Sequence, residues 1–199
     1  MPITSFIPAY TRANVLTGMA ALFLQDMTDT PAVLPPDSQA VGTAFPVPWT
    51  AVGASEQGLQ FNFQRQTNNI TIEEQITPVD EETTGATIEL AITLSEDTLQ
   101  VMRWAFGGGT ITVTAPGVGQ VGKSELQLSS QMQHFSAAFE GVNQYGFWRR
   151  VLVPDVLSTG QVQSQYRNAA NQRMYACTFS AVSAPEDIQI VEMTAEATG

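Results

Sequence analysis

The chain has 199 residues, 43% of them hydrophobic and 14% charged, and its net charge is −11. That is room for one domain, or one domain with long arms, around an ordinary apolar core. So acidic a chain is poorly suited to gripping nucleic-acid phosphates, which takes Lys and Arg, and the single Cys177 permits no internal disulfide. No segment reaches the roughly 20 apolar residues of a membrane span. Val15 to Leu24 is apolar, but it lacks a cationic start and runs into Gln25, Asp26 and Asp29, so no signal peptide is expected.

In chain order, Ala20, Leu22 and Leu24 predict a first strand with Phe23 on its other face. The segment at about 29–48 carries Pro31, Pro35, Pro36, Pro46 and Pro48, too many for a regular element. It reads as a long loop or as an extended arm that orders on a neighbour, with Phe45 and Trp49 as candidate inter-subunit anchors. Leu59, Phe61 and Phe63 alternate with polar residues, as do Ile70, Ile72 and Ile76, with Glu74 the misfit. The run from Ala86 to Gly109 is the best-formed stretch. Ile88, Leu90, Ile92 and Leu94 alternate with Thr87, Glu89, Ala91 and Thr93 as a strand with one buried face. A helix follows at about 95–106, with Ser95 as expected N-cap, Glu96 and Asp97 at its positive end, and Gly107 to Gly109 as its stop.

Leu99, Met102 and Phe106 form the stripe expected to close the core, which leaves Val101 and Trp104 as a second apolar side and hence as interface candidates. Short strands are then expected around Ile111 and Val113, Leu126 and Leu128, Phe135 to Phe139, Phe147 to Val153, Tyr175 to Phe179, and Ile188 with Ile190. Roughly ten short strands with turns between them predict a mainly β protein, a sandwich or barrel flanked by one helix, with extended loops or arms.

Charge is unevenly placed. Glu73, Glu74, Asp80, Glu81, Glu82, Glu89, Glu96 and Asp97 occur with no base among them, whereas Arg149, Arg150, Arg167 and Arg173 face one acid, Asp155. Such runs are most often solvated faces. The sharper expectation is an acidic edge of one subunit (Asp80, Glu81, Glu82) meeting a basic edge of the next.

Residues 117–124, GVGQVGKS, match the P-loop pattern, in which backbone amides cradle phosphates, Lys123 reaches the terminal phosphates and Ser124 holds magnesium. A P-loop opens into a helix, yet ELQLSSQ alternates with period two and Pro154 interrupts the segment bearing Asp155. A nucleotide-binding enzyme is therefore the lesser alternative. His134 is the only histidine and has no acid near it in sequence, and no metal-ligand spacing occurs. No catalytic residue, cofactor or metal is expected.

Three stretches carry a family resemblance: PWTAVGASEQG at 48–58, ITIEEQITPVDEETTG at 70–85, and IELAITLSEDTLQVMRWAFGG at 88–108. In order and pattern they resemble the major tail tube proteins of long-tailed, siphovirus-like bacteriophages. Trp49 and Gly53 precede a turn; Glu74, Gln75, Pro78, Val79, Thr84 and Gly85 follow; then come Glu96 through Gly108. GMAALFLQD and VLVPDVLSTGQVQSQYRNAANQRMYACTFSAVS resemble the first and late strands, and the Gly-Lys-rich connection at 117–124 is a departure.

The resemblance implies a single tail tube domain over 1–199, assembled as hexameric rings that stack into a hollow virion tail tube. DNA would pass through it without specific binding. It further implies contacts with tape-measure, terminator and baseplate or tip proteins, assembly in the host cytoplasm, and no membrane. Glu73, Gln75 and Glu89 point away from the apolar side of their strands and are the candidates for an acidic lumen that repels phosphates.

Overall fold

The computed structural model describes residues 20–27, 32–36, 39–40, 42–70, 80–142, 148–162 and 174–193. Ten strands and one α-helix lie within them: β1 (Ala20–Asp26), β2 (Thr50–Ala51), β3 (Ser55–Ile70), β4 (Asp80–Leu94), α1 (Leu99–Ala105), β5 (Gly109–Thr114), β6 (Lys123–Leu128), β7 (Phe135–Val142), β8 (Trp148–Ser158), β9 (Tyr175–Ala181) and β10 (Gln189–Met193). The protein is mainly β and its strand pairs are antiparallel.

Eight strands form one sheet in the order β2-β1-β7-β8-β9-β4-β3, with β10 beside β8; β5 and β6 make a separate hairpin. The sheet curls back on itself in a barrel-like way. Phe61 on the last strand meets Phe139 on the third, with ring centroids 5.7 Å apart. The inward positions are those the alternation predicts: Leu22 and Leu24, Leu90 to Leu94 on every second residue, Phe135 and Ala137, Val151 and Val153, then Tyr175, Cys177 and Phe179.

Pro154 does not end its strand. Val153 pairs with Ala137 and Val156 with Phe135, so two residues of β8 bulge out between them. Both valines then face the core, and the proline sits where no ladder donor is required.

The helix is shorter than predicted and turned the other way. Its N-cap is Thr98, whose Oγ1 accepts from Val101 N at 3.2 Å, rather than Ser95. Val101, Trp104 and Ala105 are buried, whereas Leu99 and Met102 are half-buried and Phe106 is 41% exposed. Two apolar stripes compete on so short a helix, and the one carrying the indole removes more area from water. Gly107, at φ 79, turns the chain as its N–H donates to Trp104 O. Behind it Gly109 lies so close to β6 that a Cβ there would meet Gln127 O at 2.5 Å.

Candidate functional site

The described residues of the Pro-rich segment, 32–36, 39–40 and 42–49, are laid over their own sheet. Phe45 stacks on Phe23 at 4.1 Å with the rings 4° from parallel, and Trp49 meets Phe45 edge-on at 6.0 Å. With Ala138 and Leu152 they form a second apolar cluster on the outer face of β1, β7 and β8. Trp49 Nε1 donates to Val33 O at 3.2 Å. Phe45 and Trp49, predicted as anchors on a neighbour, are thus buried within their own chain.

The same correction applies to Arg150. Its Nε donates to Glu140 Oε2 at 3.1 Å and its Nη2 to Gln39 O at 3.3 Å, while Glu140 Oε1 accepts from Gly42 N at 2.8 Å. Arg150 is 1% exposed, so it is a clasp for the 39–45 segment and no part of a basic edge. Arg149 is half-buried and pairs with Glu192 of β10. Arg167 and Arg173 lie outside the described residues.

Val101 and Trp104, each 2% exposed, belong to the main core and not to a spare face. Arg103 takes the interface between helix and sheet: its Nη2 lies 2.8 Å from Asp26 Oδ1, and its Nε donates to Gly109 O at 2.8 Å. A shallow open depression of about 330 Å³ beside it is lined by Gln100, Thr110, Ile111 and Gln133. Its one cation is already spent on these bonds, and on Gln133 Oε1 at 3.2 Å.

The acidic residues are placed differently. β9 supports β4 only from Glu89 to Leu94, so among the described residues the far ends of β3 and β4 continue as a two-stranded ribbon. Asp80, Glu81 and Glu82 are exposed at its end, opposite Ile70, Asn69 and Asn68. Glu89 is half-buried, alternates with core residues Ile88 and Leu90, and pairs with Asn62 on one side and Ser180 on the other. Across β3, β4 and β9 its row of the outer face is polar, and on β8 it ends at Leu157. β4 and β9 contain no Lys or Arg; β3 contains Arg65 alone, on the opposite face, 5.5 Å above the Phe63 ring. Glu73 and Gln75 lie outside the described residues. Among the described residues β3 pairs with β4 alone and stands at the end of the sheet order.

The P-loop match is a hairpin connection. Gly117 and Gln120 donate to each other's carbonyls at 3.0 Å, which turns those two amides away from any phosphate. Lys123 and Ser124 sit in β6 opposite Thr114 and Val113, and Lys123 Nζ is bound by Glu125 at 2.8 Å. That carboxylate raises the Lys123 pKa through its hydrogen bond. A strand follows where nucleotide binding needs a helix N-terminus.

Two features escaped the sequence reading. His134 Nδ1 lies 2.7 Å from Asp155 Oδ1, brought there by the β7–β8 hairpin and by the bulge that turns Asp155 outward. Ser183 Oγ accepts from Asp155 N at 2.8 Å, which fixes the acid's backbone and leaves that hydroxyl beside the acid, the wrong partner for a nucleophile activated by histidine. Glu96 Oε1 accepts from Ala54 N at 3.0 Å, so this acid clamps the turn at Gly53. Burial pushes the Cys177 thiol up from 9.0 to about 12, so it is an inert core residue. Among the described residues no cluster of three His, Cys, Asp or Glu is placed to hold a metal, and no helix is long and apolar enough to cross a membrane.

No family model matches the chain, and no curated protein matches it in sequence. Among solved structures, a chain of the anti-feeding prophage baseplate, determined by cryo-EM with 6-fold symmetrisation, is similar at a TM-score of 0.48 and 6% identity. The match covers 91% of this chain and 97% of that one. At that score the likeness carries no argument, and the functional reading rests on the residues themselves.

Proposed function

We propose that this protein is a self-assembling structural component of a phage tail, whose copies join as hexameric rings stacked into an acidic-walled tube. One observation carries the reading: the outward residues of β3, β4 and β9 around Glu89 are mostly polar and none is a base, and the β3–β4 ribbon beyond them ends in the exposed Asp80, Glu81 and Glu82. A surface that must let DNA slide needs like charge and no anchoring cations. The edge of β3 supports it from another side. A long unpaired edge is a liability in a monomer, and natural proteins shorten, charge or cover such edges unless another chain pairs there. The resemblance of residues 48–108 to tail tube proteins points the same way.

The test is negative-stain microscopy and sedimentation of the purified full chain over a concentration series. Stacked rings or tubes of uniform width are expected. A chain that stays monomeric at every concentration overturns the proposal.

A further inference from the structure

The β5–β6 hairpin has work left over. Residues directly opposite across it share a face, which puts Ile111, Val113, Leu126 and Leu128 on one side and Thr110, Thr112, Glu125 and Gln127 on the other. A two-stranded hairpin alone is marginal in water and needs a third layer. Here α1 lies against it, yet Ile111 and Leu126 are only half-covered, and beyond them cover is lost. Val113 is 73% exposed, Leu128 56%, and Val121 86%, with Val118 fully exposed in the turn.

Electrostatics identifies what can cover this face. From Trp104 to Gln133 the only charges are Lys123 and Glu125, and they neutralise each other at 2.8 Å. In a chain of net charge −11 this is an apolar surface on which a second, equally acidic copy can settle without repulsion. The hairpin also leaves the sheet at the α1 end, where Arg103 meets Asp26. The acidic Ile70–Asp80 end of the ribbon lies at the other end of β4. Contacts made at the hairpin therefore need not bring two acidic ends together.

We propose that the apolar face of the β5–β6 hairpin, carried by Val113 and Leu128, docks on another copy of this chain together with the exposed Val118 and Val121 of the connection between its strands. The glycine-rich run at 117–124 is then an assembly element and no ligand loop. This inference rests on the self-assembly reading and adds to it a specific contact surface.

The experiment measures the concentration at which the wild type begins to sediment as assemblies. Val113→Asp with Val121→Asp and the polar-face control Thr112→Asp are measured alongside, with circular dichroism and thermal unfolding of each. The double variant is expected to keep its melting temperature and to raise the threshold about tenfold or more, while the control assembles as wild type does. Should the double variant lose its fold, Val118→Asp at the exposed turn takes its place, judged by the same threshold. An assembling wild type matched by the hairpin variant, or a control that blocks assembly equally, overturns this inference alone. A wild type that never assembles overturns the proposed function and this inference together.

Discussion

Arg150 and Glu140 meet at 3.1 Å across the β7–β8 pair, each almost wholly sealed from solvent at 1% and 3% exposure. Arg150 Nη1 has no partner among the described residues, so the pair is only partly compensated. Removing one member strands a buried charge, whereas replacing both removes the problem. Arg150→Met is expected to cost about 3–5 kcal/mol in urea unfolding. Arg150→Met with Glu140→Leu should recover most of that. A single variant of wild-type stability would show that the clasp holds nothing.

Trp104→Ala is expected to cost about 3–5 kcal/mol, the range for emptying a large aromatic site in a packed core. Thermal unfolding is the measurement. A stable folded variant that fails only in assembly would mean that the indole serves a neighbour, against its 2% exposure.

Cys177 gives the protein an alkaline weakness. Its thiol stays protonated in the folded core up to about 12, against 9.0 for an ordinary thiol. Between those values the unfolded chain has released a proton that the folded one retains. The contribution is therefore complete below pH 9.0 and is lost as pH rises towards 12. Cys177→Ala should flatten the fall in stability over that window relative to wild type, and the native thiol should resist alkylation until the protein unfolds.

Nucleotide should leave stability unchanged. A ligand at a hundredfold excess over its dissociation constant adds about 2.7 kcal/mol, which shifts a melting curve visibly. ATP with magnesium is expected to produce no shift in wild type or in Lys123→Ala. A shift in wild type that the variant lacks would restore the nucleotide reading.

Charge reversal on the ribbon separates folding from passage. Asp80→Lys with Glu82→Lys, both at exposed positions, should change stability by no more than about 0.5 kcal/mol, as at other solvated positions. On the proposed function, tubes still form but release of DNA through them slows. Unimpaired release by particles carrying the variant would remove the charged-wall idea.

Much of this fold was written in simple alternation. Ile88, Leu90, Ile92 and Leu94 could be placed because one face of β4 is buried and the other is not. What failed had a cause that local pattern does not contain. Phe23 faces away from Leu22 and Leu24, and its cover arrives as Phe45, from a segment that has no period of its own. Arg150 sits in a run of bases, but its partner Glu140 lies on the neighbouring strand. Pro154 reads as a breaker until the bulge supplies a position without a ladder bond. The helix offered two stripes, and periodicity alone does not choose between them. The candidate site was legible in its charge and illegible in its edges. The acids of β4 are visible in the sequence, whereas an unpaired β3 is a property of the sheet order.

The 39–45 segment has a consequence for how the chain is made. Its contacts join residues 98 and 111 positions apart, Gly42 to Glu140 and Gln39 to Arg150. A ribosome delivers the cluster's Phe23, Phe45 and Trp49 long before β7 and β8 exist to receive them. During that interval these aromatic rings have one another but lack Ala138 and Leu152, which complete their cluster. Synthesis therefore passes through a stage in which the N-terminal quarter is sticky, and the arrival of Arg150 marks its end.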